Sequence, residues 1–304
     1  MLALSPKNDQ NDQQGCGGRM YRLLCLCLCL LIAAPAQAKK VTSTDSPVRL
    51  RAELGFAAIL DHKIQFGKEG TAFDYISEGG QDNLFDFLRL SVEVPLGDKH
   101  ELVFLAQPLL LESFVRMPIR PDGSGTRFED VLIPGGTPTR VVYDFGFWRG
   151  SYLYHTVSTP KHQLSFGVSL QLRNATIEFA TEDGQLLSSN RDIGPVPIIK
   201  MRWNNEMKNW WQGVEVDGFY APVSYLNGDD NDVVGAILDA SYRIGRHLTP
   251  EAIAYLNLRY LGGGAEGISD DNLRQNQANG FDDDGFTANW LHSMSVTLGF
   301  GYDF

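Results

Sequence analysis

The chain ends on SVTLGFGYDF, Ser295 to Phe304, and these ten residues alternate strictly between two kinds of side chain. One parity is apolar or aromatic throughout: Val296, Leu298, Phe300, Tyr302 and Phe304. The other is small or polar: Ser295, Thr297, Gly299, Gly301 and Asp303. A period of two with one apolar face predicts a β-strand. Such a strand suits either a soluble protein or the last strand of a barrel whose apolar face meets lipid.

The same alternation recurs along the chain. It is cleanest from Leu164 to Leu172, where apolar residues alternate with Ser, Gly and Gln. A slip of parity near Arg173 to Ala175 predicts a β-bulge there. In all, the pattern predicts ten strands, at about 48–60, 84–94, 101–116, 141–155, 164–172, 196–203, 214–220, 234–242, 252–260 and 295–304. We therefore predict a single antiparallel up-and-down β-barrel, with twelve strands as the alternative if a long connection hides a hairpin.

The connections between these strands alternate in length and differ in charge. Four are short, and five are long: 61–83, 117–140, 181–195, 221–232 and 262–285. The long connections carry net charges of −3, 0, −2, −3 and −5, which accounts for the acidity of the chain. Short turns at one end and long loops at the other are typical of bacterial outer-membrane barrels. The glycines from Gly262 to Gly267 are interpreted as a flexible loop entrance.

The first 38 residues have the layout of a secretory signal peptide. Arg19 and Arg22 precede an uncharged apolar run from Leu23 to Ala36, and Ala36-Gln37-Ala38 is a small-x-small cleavage site. An uncleaved N-terminal anchor is the alternative. Residues 39–304 then form the barrel domain, which contains none of the four cysteines and no apolar run long enough for a membrane helix.

Charges of both signs lie on the polar faces of the predicted strands. We expect them to form ion pairs across a narrow lumen and to plug it. The residues concerned are Arg49, Arg51, Arg89, Arg173, Lys200, Arg202, Glu215, Asp217, Asp239, Arg243 and Arg259. A small-solute channel is the alternative. Trp203, Trp210 and Trp211 flank one short turn, as expected of aromatic residues at a membrane–water interface.

With its signal peptide, alternating strands and terminal Gly299 to Phe304, the chain resembles Gram-negative outer-membrane β-barrel proteins that end in Phe. The resemblance implies an outer-membrane location and contact with outer-membrane lipid and lipopolysaccharide. It also implies that the barrel-assembly machinery binds the chain through Phe304. It indicates no characterised functional family, and we predict a structural or interaction role in the envelope through the acidic outer loops.

A lipid A-modifying or other rim enzyme is the alternative function. Of the six histidines, only His62 and His292 lie at the long-loop end of the predicted barrel, and they are the catalytic candidates. Closure of the barrel would bring the two strands together, with His292 beside Leu60 to His62. Both histidines share the parity of the lipid-facing residues, which favours contact with lipopolysaccharide headgroups over catalysis.

Two acidic stretches are candidates for binding Ca²⁺, because this ion prefers several carboxylate and carbonyl oxygens from a flexible loop. The residues are Asp229, Asp230, Asp232, Asp282 and Asp284. Neither stretch has the spacing of a helix–loop–helix calcium site, and a solvated acidic loop is the simpler interpretation. No other cofactor is predicted. Nucleic acid is not expected as a partner, because the net charge of the chain is −11.

Overall fold

The computed structural model describes residues 47–129, 131–222, 233–268 and 285–304. The predicted signal peptide, residues 1–38, lies outside them. The regular elements of the described residues are fourteen strands. They are β1 (Arg49–Phe66), β2 (Phe73–Asp74), β3 (Leu84–Leu96), β4 (His100–Gln107), β5 (Leu110–Arg116), β6 (Thr126–Phe128), β7 (Val131–Ile133), β8 (Pro138–Ser158), β9 (His162–Thr181), β10 (Leu187–Glu206), β11 (Trp210–Pro222), β12 (Val233–His247), β13 (Ala252–Ile268) and β14 (Phe286–Asp303). Within the described ranges, no helix has the length and hydropathy needed to cross a membrane.

Ten antiparallel wall strands close into a barrel. Each strand pairs with its sequence neighbour, and β14 returns to pair with β1 from Arg49↔Asp303 to Phe66↔Thr287. Strands β4 and β5 both pair with β8 and occupy one position in the wall, because Pro108 and Leu109 interrupt the strand between them. The predicted all-β, ten-stranded barrel is therefore confirmed. The additional strands β2, β6 and β7 are not part of this wall.

The barrel has a short-turn end and a long-loop end. Turns at 97–99, 159–161, 207–209 and 248–251 lie at the first, together with the start of β1 and the end of the chain. The described connections 67–83 and 117–137 lie at the second, as predicted. The connection predicted at 181–195 shortens there to a turn at 182–186, because β9 and β10 extend into it. The wall strands run further toward that end than their sequence pattern indicated. Gly262 to Gly267, interpreted above as a loop entrance, instead pair with β12 and β14 within β13.

An apolar belt surrounds the short-turn half and the middle of the barrel. On β9, Phe166, Val168, Leu170 and Leu172 are all exposed, while Ser165, Ser169 and Gln171 between them are buried in the lumen. The outward apolar row extends from Leu164 to Leu172, which is about 26 Å of strand at 3.3 Å per residue. That length matches the apolar band of a membrane-spanning barrel.

The predicted β-bulge near Arg173 to Ala175 is absent. The β9–β10 register runs without a break through these residues, and the inward parity stays the same. What changes is the chemistry of the inward face, which is polar up to Gln171 and apolar at Ala175, Ile177 and Phe179. The parity slip in the sequence therefore marks a change of surroundings along the lumen and not an irregularity of the strand.

That change occurs because segments between the wall strands fold into the long-loop half of the lumen. Phe73 and Tyr75 lie at and just after β2, and Phe128 and Ile133 end β6 and β7; all four are buried. They pack with the inward apolar residues of the wall into one cluster, here called the outer core. Its buried members are Ile59, Ile64, Phe66, Phe73, Tyr75, Leu109, Leu111, Met117, Phe128, Ile133, Val141, Tyr143, Ile177, Phe179 and Leu291.

Candidate functional site

The short-turn half and the middle of the lumen are filled by a network of charged side chains, here called the lumen network. The alternation of each strand turns these side chains inward, and neighbouring strands place opposite charges side by side. Its cations are Arg49, Arg89, Arg149, Lys200, Arg202, Arg243 and Arg259, and its anions are Glu53, Glu93, Glu101, Glu215, Asp217 and Asp239.

Glu215 on β11 is the most heavily shared anion of the network. Its Oε1 lies 2.8 Å from Lys200 Nζ and 3.3 Å from Arg89 Nη2, and its Oε2 accepts a 2.7 Å hydrogen bond from Arg202. Arg243 approaches the same carboxylate only to 3.4 Å. One buried carboxylate thus compensates several cations from different strands, which ties the wall together across the lumen.

Arg149 on β8 connects the two aspartates of the network. Its Nη1 donates to Asp217 at 2.5 Å and to Asp239 at 2.8 Å, and its Nη2 donates to Gln171 at 2.6 Å. Asp239 is also paired with Arg259, whose other donor reaches Gln107. The Arg149 side chain is 1% exposed, so water does not screen these contacts.

The sequence identified most of this network. Ten of the eleven predicted lumen residues point inward, and the side chain of Arg173 lies outside the described part of the structure. The prediction omitted Arg149 and the glutamates Glu53, Glu93 and Glu101. Arg149 shares its parity with Phe147 and Ser151 and opposes Trp148 and Tyr152, and this pattern would have identified it.

Small residues on β14 make room for larger lumen side chains. A Cβ atom on Gly299 would lie 2.2 Å from the ring of Tyr255, and one on Gly301 would lie 2.3 Å from Arg51 Nη1. Tyr255 then donates to Glu53 at 3.1 Å, and Arg51 donates to Asp303 at 2.8 Å. Tyr255 and Arg51 on the neighbouring strands therefore require glycine at these two positions of β14.

A cavity of about 250 Å³ opens at the short-turn end, below the lumen network. Basic side chains dominate its lining, with Trp211 buried at one side. Trp211 was predicted to lie at a membrane interface with Trp203 and Trp210. That prediction is wrong for Trp211, which points inward and packs edge-on against Tyr255, with ring centroids 5.4 Å apart.

His62 lies on the inner side of the wall, contrary to the parity argument. The β1–β14 register shifts between Ile59 and Asp61, which marks a bulge at Leu60. The extra residue moves each of the following side chains to the opposite face of the strand. His62 is consequently fully buried in the outer core and stacks on Tyr75, with ring centroids 3.8 Å apart. Its Nδ1 lies 2.7 Å from Gln81 Oε1.

His292 lies on the outer side of the wall, as its parity predicted. Its Nδ1 is 2.7 Å from the hydroxyl of Tyr260. The predicted proximity in register is correct, since His292 pairs with Asp61 and Leu291 pairs with His62. The histidine side chains nevertheless face opposite sides of the same wall, so the structure does not bring the two catalytic candidates into one site.

The candidate Ca²⁺ ligands Asp229, Asp230, Asp232, Asp282 and Asp284 lie outside the described residues. Within the described residues, no group of three or more His, Cys, Asp or Glu side chains could hold a metal ion. The buried carboxylates of the lumen network are instead neutralised by Arg and Lys.

Comparison with solved structures finds bacterial outer-membrane β-barrels. The outer-membrane protease OmpT of Escherichia coli is similar at 10% identity and a TM-score of 0.47, over 87% of this chain and 99% of that one. The transport unit of the autotransporter AIDA-I, also from E. coli, is 11% identical with a TM-score of 0.40, over 94% and 98%. OprG of Pseudomonas aeruginosa is 12% identical with a TM-score of 0.35, over 86% and 97%.

No protein-family model and no curated protein matches the sequence. Because these identities are 12% or lower and the TM-scores are below 0.5, the closed barrel is assigned from its own strand pairing.

Proposed function

We propose that the chain is an outer-membrane β-barrel that does not conduct and serves a structural or interaction role through its long loops. The observation that carries this proposal is the filled lumen: the lumen network occupies its short-turn half and the outer core its long-loop half. The exposed apolar belt supports insertion into a bilayer, since exposed apolar surface of this extent is costly in water.

In the outer membrane, the proposed orientation of the barrel places its short turns in the periplasm and its long connections on the outer side. The apolar belt would contact lipid, and the acidic long connections would meet external partners. Divalent ions such as Ca²⁺ would bridge those carboxylates to lipopolysaccharide phosphates. A thermal shift with Ca²⁺ that a chelator reverses would support this part of the proposal, and a shift that survives chelation would contradict it.

Conductance in planar bilayers tests the closed lumen. The full chain, refolded and inserted, should show no steady discrete openings. The variant Arg149→Ala, which removes the link between Asp217 and Asp239, should pass brief currents if the network is the barrier. The variant Arg246→Gln, an exposed residue on the outer side of β12, is the matched control. Steady openings in the unmodified chain would establish a channel and overturn the proposal.

The geometry does not favour the alternative of a rim enzyme, because His62 and His292 lie on opposite sides of the wall. Replacing both with Ala in cells that overexpress the chain, and comparing lipid A by mass spectrometry, checks this. We expect identical lipid A profiles from cells with the variant, the unmodified chain and no overexpression. A modification that depends on either histidine would establish enzymatic activity.

Phe304 is proposed as the residue that the assembly machinery binds. Its side chain is exposed, and its backbone nitrogen donates to Val48 across the β1–β14 junction. Phe304→Ala should therefore lower the amount of barrel assembled in cells while leaving refolding of the purified chain unchanged. An equal defect in both would indicate a role in stability instead.

A further inference from the structure

We propose that the cavity at the short-turn end is a binding site for a dianionic oxyanion, a phosphate either free or as a monoester. The inference goes beyond the proposed function and stands independently of it, because it uses only the residues that line this cavity. With a volume of about 250 Å³, the cavity has room for a group of this size.

The lining carries an excess of positive charge. Five Lys and Arg side chains line it against three Asp and Glu side chains. Arg49, Arg202 and Arg243 also face carboxylates of the lumen network, so the excess rests mainly on Lys161 and on donors that the network leaves unused. A phosphate, which is an anion with several acceptor oxygens, suits a lining of this sign.

Arg243 is the principal donor available to such a ligand. Its buried Nε has no hydrogen-bond partner among the described residues. The nearest carboxylates, Glu215 and Glu53, lie 3.4 Å and 3.9 Å from the guanidinium, and Glu215 is already engaged by three other cations. A buried donor without an acceptor is costly, so an oxygen ligand at this position would stabilise the site.

A second buried donor lines the same cavity. The indole Nε1 of Trp211 is buried without a partner, and the residue is 7% exposed. Gly245 packs directly against the indole, since a Cβ atom there would lie 2.6 Å from that nitrogen. The indole N–H can only donate, so the partner it lacks must be an acceptor such as a phosphate oxygen.

Lys161 and Arg51 complete the charge of the cavity mouth. Lys161 is exposed in the turn between β8 and β9 and has no ion-pair partner among the described residues. Arg51 donates a hydrogen bond to Asp303 at 2.8 Å. A guanidinium presents five donors, so Arg51 retains others for a phosphate.

Isothermal titration of the refolded full chain in neutral detergent tests the site, with inorganic phosphate and glycerol 3-phosphate as probes at constant ionic strength. Saturable binding of one phosphate per chain is expected, with chloride and acetate inactive. Binding of both probes would assign the site to the phosphate group itself. Binding of glycerol 3-phosphate alone would assign it to a phosphate ester.

The variant Arg243→Gln should weaken phosphate binding tenfold or more, since a hydrogen bond to a charged group contributes about 1.5–3 kcal/mol. Arg246→Gln, three residues along the same strand but on the outer side, is the matched control and should leave binding unchanged.

If Arg243→Gln fails to fold, Lys161→Gln in the exposed turn replaces it. We expect a loss of about threefold, against no loss for Lys99→Gln in a neighbouring turn of the same end. Absence of saturable binding to the unmodified chain would overturn the proposal. So would equal affinity in the Arg243 or Lys161 variant and its control.

Discussion

The two halves of the lumen are built from the same ten strands but are filled in opposite ways. In the short-turn half, inward residues are charged and meet directly across the lumen, as Arg149 of β8 and Asp239 of β12 do at 2.8 Å. In the long-loop half, inward residues are apolar and pack on segments that fold in from the loops, as Phe179 does on Phe128. The difference follows from what fills the space. Long charged side chains can span a narrow lumen alone, whereas shorter apolar ones need an added chain segment between them.

The two halves should therefore respond differently to mutation. The lumen network joins wall strands to one another, so a broken ion pair weakens the barrel itself. The outer core joins the wall to inserted segments, so a lost aromatic ring releases a cap while the wall stays closed. The following substitutions test this contrast, beginning with the largest expected effect.

Asp239→Ala should strongly destabilise the whole barrel. Asp239 is 2% exposed and faces Arg259, Arg149 and, at 3.9 Å, Arg89. Its removal leaves buried cations uncompensated, which costs about 3–5 kcal/mol in free energy of unfolding. Urea denaturation in lipid vesicles measures the change. The control Asp98→Ala, in an exposed turn at the short-turn end, should lie near the unmodified value, and a small loss for Asp239→Ala would show that water enters the network.

Phe128→Ala should loosen the cap and leave the wall intact. The ring of Phe128 stacks on Phe179 at 3.7 Å and contacts Phe73 at 5.5 Å, and all three are fully buried. Truncation of a buried Phe costs about 3–5 kcal/mol. We expect this loss to reduce the free energy with which β6 and β7 dock onto the wall. Limited proteolysis should cut the variant between β5 and β8, while the folded barrel keeps its mobility on unheated gels.

Loss of the folded barrel in Phe128→Ala would mean that the outer core also holds the wall. Leu132→Ala, on the exposed face of the neighbouring strand β7, is the matched control. We expect no new cleavage in that variant.

Gly299→Ala should destabilise the short-turn half through a steric clash. The added Cβ would lie 2.2 Å from Tyr255 and would displace the ring that donates to Glu53. Overpacking of this kind costs about 1–3 kcal/mol, measured by the same urea denaturation. Gly150→Ala on β8, where a Cβ meets no atom within 4 Å, is the control and should be near neutral. Equal stability of the two variants would show that Tyr255 moves freely.

Substitution of Asp183 should have the smallest effect, because this residue lies in the turn between β9 and β10, outside both halves of the lumen. The Oδ1 of Asp183 accepts one hydrogen bond from the Thr181 hydroxyl at 2.6 Å and another from the Gln185 backbone N–H at 3.0 Å. These two bonds lower the pKa of the Asp183 carboxyl. A lowered pKa means that the contribution is present above the unfolded-state pKa and is lost as the pH falls through the folded-state pKa. In Asp183→Asn the acid dependence of hydrogen exchange in this turn should disappear, with the barrel unchanged. A persisting dependence would assign it to another group.

Local alternation was sufficient to predict the wall. A strand places successive side chains on opposite faces whatever surrounds it, so Leu164 to Leu172 and Ser295 to Phe304 identify their outward residues from sequence alone. The same rule placed most of the charged residues in the lumen. It also paired the strand of His292 with the strand of His62, because the number of strands and the direction of each determine which ones meet on closure.

Only the tertiary structure decided where that rule is interrupted and what each face contacts. The bulge at Leu60 reverses the orientation of His62, and nothing in the residues around it indicates the extra position. The inward change from Gln171 to Ile177 resembles a bulge in sequence, yet it reflects segments distant in the chain that fold into the lumen. Parity is a property of one strand and can be read locally. The contents of a lumen depend on which distant segments of the chain enter it. The local sequence of those segments does not show that they will contact the wall.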